Sequence, residues 1–241
     1  MVLQRTFLFL ALCFALSINQ VYAQKPVLTI GTTDSPPLSL PDQSGILDRM
    51  LKEAFSRIGV QVEFVTLPSE RSLLEAEKGT IDGDNNRIAG LQSKYPKLIQ
   101  VPESSMIYEF AAFAARPGVA IRNWDDLATL DVAHIIGWKI FEDNVKGPRV
   151  TKVANSAQLF SLLKSGRTDV VLFDRFGGYH QIKELGISHG YVVEPPLAKR
   201  EMFLYLNAKH ADLVPALAKA LRAMKADGSH AQYFAVVSSK K

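Results

Sequence analysis

Apolar positions recur along residues 26–66 with two different periods. Val27 to Ile30 is a short apolar run that breaks at Gly31 into the polar, proline-rich stretch "DSPPLSL". A run bounded in this way predicts a strand with a loop at its C-terminal end. Ile46, Leu47, Met50, Leu51, Ala54, Phe55 and Ile58 then return every three or four positions, and Gly59 follows. That spacing places them on one face of a helix stopped by the glycine. Val60, Val62 and Phe64 next alternate with polar residues, the period of a second strand. Strand, helix, strand predicts a parallel sheet with helices on its faces.

The pattern then echoes itself. Ser69 precedes Gly79 by ten residues and Asp82 follows three later; Ser156, Gly166 and Asp169 repeat that spacing. Each copy reads as an N-cap serine, a short helix, a C-terminal glycine and an aspartate leading into a strand. The second strand is apolar, "DVVLFD", whereas the first is "DGDNNR". Between the copies, "LDVAHIIGWKIFEDNVKG" predicts a strand from Val132 to Ile136, a turn at Gly137 and a helix. The chain therefore divides into two α/β lobes of similar plan. "YEFAAFAARPG" (108–118) and "REMFLYLNAKH" (200–210) are the apolar stretches that connect them. The tail predicts one amphipathic helix stopped at Gly228 and a short second one.

Composition adds a compartment. Arg5, the apolar run Thr6–Ile18 and the closing Val21-Tyr22-Ala23 predict a secretory signal peptide over residues 1–23. The run falls short of the ~20 residues that a membrane span needs. Removal of that segment takes away Cys13, the only cysteine, so disulfides and thiolate chemistry are not expected of the exported protein. With 47% hydrophobic residues the chain is held by its core. The net charge of +4 is spread without basic runs or interleaved aromatics, and no nucleic-acid partner is expected.

"DGDNNRIAG" (82–90) resembles the start of a calcium loop, with oxygen-bearing side chains at Asp82, Asp84 and Asn86. Such a loop needs glycine at its sixth position and glutamate at its twelfth, where this chain has Arg87 and Ser93. The five histidines show no metal-ligand spacing, and no phosphate-binding loop or nucleophile elbow is present, so no metal and no cofactor are expected.

In order and spacing, "LTIGTTDSPPLSL", "VQVEFVTLPSERSLLEAEKGTIDG", "IRNWDDLATLDVAHIIGWK", "LLKSGRTDVVLFDRFGGY" and "LVPALAKALRAMKADGSHAQYF" resemble the bacterial extracellular solute-binding proteins of family 3. The resemblance implies the type II periplasmic binding protein fold: two Rossmann-like lobes joined by two crossover strands and closing on a small ligand. It implies residues 24–111 plus 206–241 as one lobe and 112–205 as the other. It places the ligand at the C-terminal strand ends, as expected for open α/β sheets. In this chain those are Asp34, Ser35 and Pro37; Glu70 and Arg71; the run from Asp82 to Arg87, with Asp84 in it; Gly137, Trp138 and Lys139; and Asp174. In amino-acid-binding relatives an arginine clamps the ligand carboxylate and an aspartate meets its ammonium. Asp174 matches the second role, and Arg87, or else Arg71, the first. Arginine suits a carboxylate because its planar fork makes two charge-assisted hydrogen bonds.

The expected function is capture of a small polar ligand, amino-acid-like or another carboxylate, by a monomeric periplasmic protein that serves an ABC permease or a membrane sensor. An enzyme on the same scaffold, dehydrating cyclic acids with Glu70, Asp82 or Asp84 as general acids, is the competing class. An orphan ligand-sensing module is the third.

Overall fold

The structure, a computed structural model, describes residues 27–33 and 35–238. The signal peptide expected over residues 1–23 and the candidate Asp34 lie outside them. β1 (Val27–Thr32) and β2 (Gln61–Thr66) pair in parallel along their whole length, joined by α1 (Ile46–Ser56). The residues that carry the helical period of α1 are the ones it buries, from Ile46 and Leu47 to Ala54 and Phe55. α2 (Ser69–Lys78) follows and ends at Gly79, whose φ of +82° suits a residue without Cβ. β3 (Gly83–Arg87) then lies between β1, to which it is parallel, and the antiparallel β9 (Tyr191–Asn207).

The second half repeats the plan. β6 (Val132–Ile135) leads through a turn at Gly137 into α3 (Lys139–Asn144), then β7 (Val150–Val153), α4 (Ser156–Lys164), β8 (Val170–Asp174) and α5 (Arg175–Glu184). β6 is parallel to both β7 and β8. Two further strands, β4 (Leu98–Gln100) and β5 (Met106–Ala114), pair antiparallel with β9. The strand order is β2-β1-β3-β9-β5-β8-β6-β7, with β4 also on β9. β9 is long enough to serve both lobes. Its last residues, from Phe203 to Asn207, pair with β3 and β4, and the stretch from Tyr191 to Met202 pairs with β5. α6 (Val214–Ala226) and α7 (Ser229–Ser238) close the chain. No helix among the described residues is long and apolar enough to cross a membrane.

The internal echo has a shared bonding device. Asp82 N–H donates to Thr29 O, while its carboxylate accepts from Thr29 N–H at 2.7 Å. Asp169 does the same with Asp131, its carboxylate accepting at 2.9 Å. Each aspartate so ties the entry of one strand to its parallel neighbour. The capping serines differ from expectation by one position. Pro68 precedes α2 and Ser69 Oγ instead accepts from Arg87, while α4 is capped by Asn155 Oδ1, which accepts from Gln158 N–H.

Candidate functional site

β3 has the residues of a loop and the position of a central strand. Gly83, Asp84, Asn85 and Arg87 are all buried. A strand covered on both faces ordinarily reads as a run of Val, Ile and Leu. Here the register against β9 shifts between Asp84 and Arg87, and Asn86 takes a positive φ of +65°. Such irregularities re-aim side chains. Asn85, Asn86 and Arg87 consequently line a cavity between the lobes, opposite Gly137, Trp138 and Lys139 at the head of α3, with Tyr108 and Phe110 of β5 beneath. The cavity measures about 40 Å³, room for a few water molecules.

Arg87 is held within its own lobe. Its Nε donates to Asp84 Oδ2 at 2.5 Å, and its two Nη atoms donate to Ser69 Oγ at 2.6 Å and Ser69 O at 2.8 Å. Asp84 is fully buried, and its other oxygen accepts from Ser72 Oγ at 2.6 Å. Burial pushes the Asp84 carboxyl up, and the charge and hydrogen bond of Arg87 pull it back.

Lys139 spans the lobes. Its ammonium donates to Glu70, at the start of α2, and to Glu142 Oε2 at 3.0 Å. Burial opposes its charge, but the two carboxylates outweigh this and hold Lys139 above the ordinary lysine range. Tyr95 donates to Glu70, and Gly137 N–H donates to Glu142 at 2.8 Å. A Cβ built on Gly137 would lie 2.4 Å from Glu70 N, so the two backbones touch across the cleft. At the rim, Lys94 meets Asp143 at 3.3 Å.

Trp138 stacks with Phe173, ring centroids 4.7 Å apart, and with Phe141 at 5.6 Å. Phe110 meets it edge-on and Tyr108 lies beside it. The Tyr108 hydroxyl accepts from Asn86 Nδ2. Burial, and then the nearby Asp174 carboxylate, push this phenol well above its ordinary range. Asn85 Nδ2 and Oδ1 and Asn86 Oδ1 are buried without a hydrogen-bond partner among the described residues. Buried polar groups in native proteins are rarely left so, and such atoms on a cavity wall suit a ligand or water.

Asp174 is fully buried at the end of β8 and caps α5, its Oδ1 accepting from Gly177 N–H at 2.8 Å. Its Oδ2 has no partner among the described residues. Burial pushes the carboxyl up to about 7, against the pull of the Gly177 and Phe176 N–H groups. The folded protein therefore binds this proton more tightly than the unfolded chain, and stability falls as pH rises from about 4 to 7. Asp174→Asn retains the cap acceptor and is expected to flatten that limb of a urea-midpoint profile. At pH 8 the gain is about 1–2 kcal/mol, limited by the new Nδ2–H donors. An unchanged pH profile would show that Asp174 does not titrate there.

The other candidates take different places. Arg71 is exposed and absent from the cavity wall, as are Ser35, which is buried, and Glu70, which acts through Lys139. Asp82 is not cleft lining, as its oxygen-rich neighbourhood suggests. It sits at the opposite end of β3, bound to His210 at 2.7 Å and Lys209 at 2.8 Å, so it forms no carboxylate pair with Glu70 or Asp84. Asn85, Tyr108, Phe110 and Glu142 were not singled out by sequence. Only the polarity of "DGDNNR" hinted at the first.

No family model matches the chain. An uncharacterized protein of Shewanella oneidensis is 21% identical over 217 residues, spanning 87% of this chain and 81% of that protein. A histidine kinase sensor domain with similarity to periplasmic binding proteins superposes with a TM-score of 0.73 at 17% identity, covering 88% of this chain and 95% of that one. An ancestral arginine-binding protein bound to arginine gives 0.72 at 22% identity, covering 87% and 97%. The fold is that of the type II periplasmic binding proteins. In the type II fold the two lobes meet at the strand ends, where the cavity between β3 and the head of α3 lies.

Proposed function

We propose that the chain is a periplasmic solute-binding module that closes its two lobes on a small polar ligand and presents the closed form to an ABC permease or a membrane sensor. The observation that carries this reading is the interlobe cavity, walled by buried amide groups without partners and bridged by Lys139 and Glu70. Asn85, Asn86, Arg87, Trp138 and Lys139 are the residues proposed to meet the ligand. Glu70 and Asp84 hold Lys139 and Arg87 in place, and Gly137 sets the close approach of the two backbones. The proposed lobes, residues 24–111 with 206–241 and residues 112–205, hinge near 110–116 and 203–209. Binding acts by differential affinity for the closed form.

A thermal-shift screen of amino acids, amines, polyols and organic acids tests this. A binder present at a hundred times its Kd is expected to stabilise the protein by about 2.7 kcal/mol, and small-angle scattering should then show compaction. Stabilisation without compaction would remove lobe closure from the reading. The absence of any binder would remove the reading itself.

A further inference from the structure

The two cations on the cavity wall are already spent. Arg87 is paired with Asp84, and Lys139 with both Glu70 and Glu142. These groups sum to three carboxylates against two cations. An entering carboxylate therefore finds neither lining cation unpaired and one carboxylate in excess, which opposes its binding.

The hydrogen-bonding groups left over point the same way. Asn86 Nδ2 is occupied by Tyr108, which leaves Asn86 Oδ1 as an acceptor. Asn85 is 3% exposed and keeps both amide ends without partners among the described residues. Two carboxamide oxygens and one N–H₂ group of the lining residues are thus without partners among the described residues, and the oxygens are acceptors for a ligand's N–H groups. The ring of Tyr108 and the ring of Phe110 supply apolar walls beside them.

Resting on the solute-binding reading above, we infer that this site takes an organic amine that lacks a carboxylate, its nitrogen donating to the Asn85 and Asn86 side-chain oxygens. An α-amino acid would leave its carboxylate without an unpaired cation; its decarboxylated amine would not.

Matched pairs decide it: arginine and agmatine, lysine and cadaverine, histidine and histamine, tyrosine and tyramine, titrated by calorimetry into the purified protein. At least one amine should bind tenfold or more tightly than its parent acid. Asn85→Ala should weaken that amine by tens-fold while the far-ultraviolet dichroism stays native. Glu142→Gln, which keeps the acceptor for Gly137 N–H, should narrow the preference for amine over acid severalfold. Parent acids binding as well as their amines, or a polyol or dicarboxylate binding better than either, would overturn the amine assignment and leave the solute-binding reading standing. No heat and no thermal shift with any of these probes would overturn both.

Discussion

Asp84→Ala is expected to lower the free energy of unfolding by about 3–5 kcal/mol, because it breaks a buried ion pair from one side. The substitution leaves the Arg87 guanidinium, 8% exposed, with only the hydroxyl and carbonyl of Ser69. Arginine has no neutral form to retreat to. The reverse change is milder. Arg87→Ala strands Asp84, but burial already raises that carboxyl, and protonation relieves it. The cost of Arg87→Ala should therefore shrink as pH falls toward 4, while that of Asp84→Ala does not. Replacing Asp84 by valine and Arg87 by methionine should recover much of the loss, since a buried pair is often matched by apolar residues of similar volume. Urea midpoints at constant slope report all of this. An Asp84→Ala protein within about 1 kcal/mol of the native one would mean that water reaches the pair.

The same pair marks where sequence patterning stops. Most elements were legible because their apolar residues keep one period. α1 buries the face its spacing predicts, and β8 is the apolar run it reads as. β3 breaks the link between burial and apolarity, since Asp84 and Arg87 are satisfied by each other and by α2. In a regular strand, residues 84 and 87 would point to opposite faces. Only the irregularity at Asn85 and Asn86 brings Asp84 and Arg87 together, and no local propensity announces it. The cap of α2 was misplaced for a related reason. Ser69 is committed to Arg87, eighteen positions further along the chain. Arg87, Gly137, Trp138 and Lys139 were legible as cavity wall because each follows or ends a strand predicted to point at the cleft. Tyr108 and Phe110 lie inside an apolar crossover run, where nothing distinguishes a wall residue from core.

Gly137→Ala is expected to hold the lobes apart. The added Cβ would meet Glu70 N at 2.4 Å and Glu70 Cα and Ser69 C at 2.9 Å. These are backbone atoms at the start of α2, so no side-chain rotation clears them and one lobe must retreat from the other. Lys139, two residues on, would then lose its reach to Glu70, and with it the bridge over the cavity. Ligand affinity should fall by roughly a hundredfold, equivalent to about 2.7 kcal/mol, and scattering should show no compaction on ligand addition. Gly137 also has φ +84°, where alanine costs about 1–2 kcal/mol on its own. Gly118→Ala separates the two effects, because Gly118 has the same φ and nothing within 4 Å of its Cβ position. It should carry the backbone cost alone, with ligand affinity and closure unchanged. If Gly137→Ala binds and compacts as the native protein does, the contact between the head of α3 and the start of α2 is not what limits closure.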